Sequence, residues 1–533
     1  MKRSTLCGMA LLALPLFVSL DTSSVWDSNE AFYVQTPREM VEHGDWIVPR
    51  FNGQPRVNKP PLSYWLVAAP YSVFGVSIFW ERLILALLAY ASVWAVFLSG
   101  RILISERAAL LAAVLFTTTF RFQILARRLL IDILLLFCIL AALTAFLYWW
   151  KRGRGSGLIL AALFLGLGVL AKGPVIFLPA LILAAFTFWS VPSDRLRRAP
   201  WVHSLLVFFL VASSWYLLLG FTQGWDSVSD FLWKENLGRF THVDFGPQRG
   251  LQYYPLVFLA DYFPWSILLL GALAGRWSAR RFPDRSLSIL VALWMGSFLL
   301  FFSLSLNKQE YYILPVYPVA SLWLAAYLDR ESLPAWCRWL VCGVLFAAAA
   351  SLAVVACSLF RDVAGWWLPL LCLAAAGPAV AGSRIRLAAW TLSLFYALAY
   401  LVYLQPLEEY RPVRHLSKII PSGSPSGAPV TAGYYRLSTP SLAYYLNSTI
   451  LELGTPEQAL EVLRAPGPVY LIMAAEDYPR LKRDLGPVLK IEGVRPKLYT
   501  TASTLVEGWK RGRLDIRPEA WTRPVYLVSN QGG

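Results

Sequence analysis

Charge is what this sequence has least of. Only 15% of its 533 residues are Asp, Glu, Lys or Arg, against roughly 25% in soluble domains. With 57% hydrophobic residues and a mean hydropathy of +0.52, that shortage excludes an ordinary soluble globule. Cysteine is sparse as well. Cys7, Cys138, Cys337, Cys342, Cys357 and Cys372 all lie in or beside apolar runs, at no metal-type spacing and in no disulfide framework. They read as small buried apolar residues. Repeats of solenoid type are missing, and so is a convincing internal repeat of the kind many transporters carry. A net charge of +16 would suit nucleic acid if it formed one patch. It is scattered instead in short clusters between apolar runs, the pattern by which lysine and arginine orient a membrane protein. No nucleic-acid partner is expected.

What the chain does have is long apolar runs. A helix needs about 20 apolar residues to cross the hydrocarbon core. Runs of that kind fall near 4–20, 82–99, 108–126, 131–149, 157–171, 173–191, 201–221, 256–274, 287–305, 312–328, 339–358, 366–382 and 388–404. The expectation is an all-α polytopic membrane protein with about thirteen transmembrane helices over residues 1–405. The first run is read as an uncleaved helix, since no small-x-small cleavage site precedes Asp21.

With the N-terminus cytoplasmic, alternate loops carry the basic clusters: Arg101 and Arg107; Lys151, Arg152 and Arg154; Arg195, Arg197 and Arg198; Arg276 to Arg285; Arg384 and Arg386. The acids Asp21, Asp27, Glu30, Glu39, Glu42, Asp45, Asp226, Asp230, Glu235 and Asp244 fall on the opposite, outer face. That is the orientation of a bacterial inner-membrane protein with a periplasmic C-terminus.

Two outer loops are long, 21–81 and 222–255. In the first, Thr36-Pro37-Arg38-Glu39 predicts a capped helix over 37–43 that stops at Gly44. The apolar stretch 62–74, interrupted by Pro70, is expected to lie along the interface. After Gln405 the composition becomes ordinary. Residues 406–533 read as a small α/β extramembrane domain, with strands near 429–433, 450–453 and 469–473 and a capped helix opening at Thr455-Pro-Glu-Gln458.

Ionisable residues at the ends of apolar helices are costly and mark function by default. Four groups qualify on the outer face. They are Asp27 with Glu30; Lys59 ahead of two prolines; Arg127, Arg128 and Asp132; and Lys308 with Tyr311 and Tyr312. A carboxylate among cations suits transfer of a sugar from a polyprenyl phosphate. A base takes the acceptor's proton and cations stabilise the departing phosphate. Plainer readings stand beside this one: Asp27 and Glu30 as loop solubilisers, Lys59 as a headgroup anchor, Asp132 as an (i, i+4) partner of Arg128, Lys234 and Arg239 as solvated charges, and the tyrosines as belt aromatics.

The motifs Asn29-Glu30, Arg38-Glu-Met40, Gly44-Asp-Trp-Ile-Val-Pro49, Asn58-Lys-Pro60, Ile131-Asp132, Ala171-Lys-Gly173, Arg239-Phe240, Phe263-Pro-Trp265 and Lys308 through Tyr312-Ile-Leu-Pro315 keep the order of a known family. The chain resembles the membrane glycosyltransferases that include the protein mannosyltransferases and, more closely, the aminoarabinose lipid A transferase. The likeness covers roughly the first 330 residues. It implies a GT-C fold, a polyprenyl (undecaprenyl) phosphate sugar donor, membrane lipids as partners, and a lipid A-like, glycan or protein acceptor. It also implies that Lys59 and Arg239 contact the lipid phosphate, supported by Lys308, Asp132 and Tyr312.

Three departures matter. Asn29 stands where the family has an acidic residue, Asn58 where it has a glutamate, and Asn236 where it has a histidine. An asparagine is no base, so Glu30 becomes the first catalytic expectation and Asp27 the second, with Asp132 counted as a catalytic residue beside them. The glutamate and histidine of the lipid A enzyme look suited to a metal, whereas Asn58 and Asn236 are not. No zinc and no cofactor are expected here, and other use of a divalent metal stays open. Two rival functions remain: a lipid-linked sugar transporter or flippase, and an inactive relative that binds glycans.

Overall fold

A computed structural model describes the chain except for Ser28, Leu129, 239–240, 242–248, 280–284, Arg361, 422, 424–428, 499–521 and 532–533. A helix occupies each of the thirteen apolar runs, but they differ in reach. Among the described residues, six helices are long and apolar enough to cross a membrane: Ile78–Leu103, Leu130–Arg152, Trp201–Gln223, Arg285–Leu304, Ala335–Cys357 and Ile385–Tyr403.

The expected single span 256–274 is instead two helices, Tyr253–Asp261 and Trp265–Ala274, meeting at 109°. Counting that bent pair as one gives seven. The first run is also broken, into Arg3–Leu11 and Leu14–Phe17. Ser156–Lys172, Val316–Leu328 and Leu368–Ala381 are shorter apolar helices.

The helices bury one continuous apolar core. Leu130–Arg152 sits inside it, packed between Ile78–Leu103 and Ser156–Lys172. Small residues let neighbours close in. A Cβ at Gly157 would fall 2.7 Å from the Ala145 carbonyl oxygen.

The loop 21–81 departs from its sequence reading. Its helix runs Glu30–His43, two turns longer than expected, with Pro37 inside it and Thr36 fully buried rather than capping. The C-terminal stop is as expected, Gly44 taking a left-handed φ of 68°. A two-residue hairpin follows, β1 (Arg50–Phe51) with β2 (Gln54–Pro55). Glu39 fixes it by accepting from the Asn52 and Gly53 amides at 2.8 and 3.0 Å.

The Gly44-to-Pro49 motif is explained by structure rather than chemistry. Asp45 caps its own turn by accepting from the Ile47 and Val48 amides, and the carbonyls of Trp46 and Ile47 accept from the indoles of Trp65 and Trp215. Leu62–Phe74 is one continuous helix despite Pro70.

The C-terminal segment forms a five-stranded sheet in the order β4 (Leu451–Leu453), β3 (Thr431–Tyr435), β5 (Val469–Ala474), β7 (Thr522–Ser529), β6 (Lys490–Leu498). The first three are parallel and the last two antiparallel. Gly433 is required where β3 meets β4, since a Cβ there would fall 2.4 Å from the Leu451 carbonyl oxygen. Thr455 and Gln458 make the expected capping box on Pro456–Arg464.

This segment holds the first outer loop at several points. Asn52 exchanges two hydrogen bonds with Ile450 at 2.8 and 2.7 Å. The Tyr445 and Tyr444 hydroxyls accept from the Val25 and Ile78 amides. Glu408 accepts from the Ser24 amide.

Candidate active site

The expected base, Glu30, is locked away. It opens its helix, is fully buried, and accepts from Arg82 Nε at 2.8 Å, Arg82 Nη2 at 3.1 Å and the Trp26 amide at 2.7 Å. Arg82 spends its other donors on the carbonyls of Leu20, Ser23 and Ser24. Five guanidinium donors and both carboxylate oxygens are thus engaged within the fold. The carboxylate is held by Arg82 and the Trp26 amide and is not exposed to a substrate.

Asp27 is likewise committed, accepting from the Ser441 amide and hydroxyl in the C-terminal segment. Burial pushes its carboxyl above the usual range, against those hydrogen bonds. Both carboxylates serve architecture, which corrects the catalytic role drawn from sequence.

Asp132 is different. It lies in the first turn of Leu130–Arg152, 5% exposed. Its partner is Lys172 rather than Arg128. Lys172 is the last residue of Ser156–Lys172, where Gly173 (φ 79°) turns the chain out of the helix. An acid at a helix N-terminus and a base at a C-terminus both suit the helix dipole. Lys172 Nζ also lies 5.1 and 5.2 Å from the ring centres of Tyr311 and Tyr312, within cation–π range.

The tyrosine segment is fixed from behind. Arg249 Nη1 donates to the Lys308 carbonyl and to Glu310, both at 3.0 Å, and the Tyr254 hydroxyl donates to the Gln309 carbonyl at 3.0 Å. Lys308 itself is 6% exposed and its ammonium donates to the Ser305 carbonyl.

Other expected residues converge on the same corner. Asn236 brings its Oδ1 within 3.4 Å of where a Cβ on Gly173 would stand, and its Nδ2 donates to the Phe231 carbonyl at 2.7 Å. Asn58 and Lys59, both half-buried, sit between Val57 and Leu62. Val57 and Leu62 pack in one cluster with Leu170, and Leu62 packs in another with Leu134 and Ala171. The loop that bears Lys59 is thus flanked by residues packed on the helices of Asp132 and Lys172.

Asn58 Oδ1 is buried without a hydrogen-bond partner. Tyr33 stacks on Tyr64 at 5.6 Å. Burial, then Tyr64 and the Asp132 charge, push the Tyr33 hydroxyl well above its usual value.

Asn29 is exposed beside the helix start and makes no side-chain cap. Arg239 lies outside the described residues. Lys234 is a solvated charge paired with Asp230 at (i, i+4). Zinc takes Cys, His or carboxylate ligands, and the neutral amides of Asn58 and Asn236 do not fit it.

Sequence reasoning quoted Lys172 within a motif but gave it no role. A lysine closing an apolar run, with glycine after it, was the available signal. Arg82 was missed entirely. A cavity of about 990 Å³ runs along the same helices from Leu87 and Phe137 to Arg101, Lys151 and Arg152, and Asp132 is not among its lining residues.

Comparison with known proteins places this geometry. Residues 6–225 match the family described as dolichyl-phosphate-mannose-protein mannosyltransferase. An uncharacterized protein of Aquifex aeolicus is 29% identical over 427 residues, 79% of this chain and 82% of that one. The undecaprenyl phosphate-alpha-4-amino-4-deoxy-L-arabinose arabinosyl transferase of Pseudomonas aeruginosa is 30% identical over 344 residues, 62% of this chain. The match spans 61% of that transferase's length.

Among solved structures, ArnT from Cupriavidus metallidurans bound to undecaprenyl phosphate superposes with a TM-score of 0.74 at 18% identity, covering 98% of this chain and 97% of that one. The Archaeoglobus fulgidus oligosaccharyltransferase gives 0.52 at 15% identity, covering 90% and 71%. In sequence and in fold, this chain resembles the GT-C glycosyltransferases, ArnT and the protein mannosyltransferases among them.

Proposed function

We propose that this chain, built on the ArnT fold, is an inverting glycosyltransferase. In this reading it moves one sugar from a polyprenyl phosphate, undecaprenyl phosphate in bacteria, to a lipid A-like, glycan or protein hydroxyl. The reaction takes place at the periplasmic face of the inner membrane. Thirteen crossings, a cytoplasmic N-terminus and a periplasmic sheet domain from residue 406 onward belong to the same reading.

The observation that carries it is the meeting of Asp132 with Lys172 beside the Tyr311–Tyr312 pair and the Lys59 loop. Asp132 takes the base's role that the sequence assigned to Glu30. The acceptor oxygen attacks the sugar's anomeric carbon as the carbon–phosphate oxygen bond breaks. The bonding pair leaves with the phosphate, and the acceptor proton passes to the Asp132 carboxylate. Attack from the face opposite the leaving phosphate inverts the centre. Lys172 and Lys59, with Arg239 by resemblance, supply the positive charge that the departing phosphate needs. No step requires a metal.

The test is transfer of labelled sugar from a polyprenyl-phosphate donor by the purified full-length protein. Asp132→Asn is expected to lower turnover by ~10²–10⁴-fold while the protein inserts and folds. Near-normal turnover in that variant would end the assignment.

A further inference from the structure

A second polar cluster lies outside this reaction centre. A cavity of about 190 Å³ opens between the end of the first broken helix, the start of Ile78–Leu103, the Arg127–Arg128 turn and the end of Ile385–Tyr403. Its walls are apolar at Leu85, Ile124 and Leu404 and cationic at Arg82, Arg127 and Arg128.

Arg82 is neutralised by Glu30. Arg411, just behind, is paired with Glu408 at 3.1 Å. Arg127 and Arg128 have no carboxylate partner among the described residues. Arg127 donates from Nη2 to the Pro15 carbonyl at 2.8 Å and lies 4.3 Å from the Tyr400 ring centre, but its Nε is buried without a partner.

Arg128 stands 3.2 Å from the Trp26 ring centre and Arg411 stands 3.4 Å from it. At those distances they must occupy opposite faces of the indole. Two like charges therefore flank one ring, with a third beside them. Charge held out of water without a bonded counter-ion is costly: burial lowers the pKa of both Arg127 and Arg128 to about 10, although the Glu30 charge partly offsets this at Arg128. A bound anion would relieve that cost.

The space equals roughly six water volumes of ~30 Å³ each, enough for one tetrahedral anion, and guanidinium groups match phosphate with paired hydrogen bonds. The apolar remainder of the wall favours an anion that carries a hydrocarbon tail.

We infer that the Arg127–Arg128 cavity is a binding site for a phosphate group, presented as the headgroup of a lipid, separate from the Asp132–Lys172 centre. The inference stands on its own geometry and does not depend on the transfer reaction.

The test uses the full-length protein in a neutral detergent, titrated with n-dodecyl phosphate, inorganic phosphate or dodecanol. Binding is followed by thermal stabilisation and by phosphorus NMR line broadening. Dodecyl phosphate is expected to bind saturably, and Arg127→Gln and Arg128→Gln are expected to weaken that binding at least ~10-fold. Lys172→Gln should leave this binding intact, which separates it from any donor-phosphate binding at the reaction centre. Arg128→Lys should retain part of it.

Equal affinity for inorganic phosphate would assign the site to the free anion instead of a lipid. Absence of dodecyl phosphate binding, or binding unchanged in both glutamine variants, would overturn the proposal. Because the two arginines carry uncompensated charge, the ligand-free glutamine variants should be no less stable than the parent. A large loss of ligand-free stability would show that the arginines brace Trp26 instead, and would also overturn it.

Discussion

Two acid–base pairs are buried in this chain, Glu30–Arg82 and Asp132–Lys172, and they are opposites. Glu30–Arg82 is closed: every donor of the guanidinium and both oxygens of the carboxylate end on the protein itself. Asp132–Lys172 is open. Among the described residues, the ammonium has one hydrogen bond, to Asp132, and otherwise lies over two aromatic rings. Sequence distance does not separate a structural pair from a reactive one, and burial separates them poorly. The count of donors left over does, because a substrate binds only through capacity the fold has not already used.

The sharpest way to break this comparison is at the closed pair. Arg82→Gln leaves Glu30 buried without its counter-charge, and is expected to cost ~3–5 kcal/mol of stability, read as a large fall in melting temperature. A mild effect would mean that the pair is not the anchor described here. At the open pair the effect should fall on activity as well as stability. Lys172→Gln also leaves a buried carboxylate, Asp132, without its counter-charge, and should in addition cut the turnover of the folded protein by ~10²-fold. A loss of folding without a specific kinetic defect would make the two pairs alike after all. Smallest is Tyr311→Leu, which removes one cation–π contact worth ~0.5–1 kcal/mol. It should change turnover a few-fold and sharpen the role of the rings around Lys172.

Much of the architecture was legible because apolar runs, basic clusters and capping boxes are local signals. Thr455 and Gln458 form the cap their spacing announces, and the strands at 431–435, 451–453 and 469–474 fall on the expected runs. The misreadings arose where a distant partner decided the outcome. Thr36-Pro37 has the grammar of a helix start, yet the helix begins at Glu30 because Arg82 anchors that residue. Asp132 was matched with Arg128 by helical spacing, while Lys172, forty residues on, claimed it. The span 256–274 reads as one apolar run, but the chain bends by 109° at its middle, where Asp261 and Pro264 interrupt the run. Lys59 and Tyr312 stand out in the sequence by their position at helix ends, Asn58 and Asn236 only through the family resemblance, and ranking Asp132 ahead of Glu30 needs the pairing with Lys172 that the fold creates.

The Asn52–Ile450 doublet and the tyrosine bridges tie the first outer loop to a sheet some four hundred residues later. The terminal sheet therefore behaves as a splint for the very loop that delivers Lys59. A chain shortened before residue 406 would keep its membrane helices yet lose the brace on that lysine, so the two ends of this polypeptide must be inherited, engineered or exchanged together.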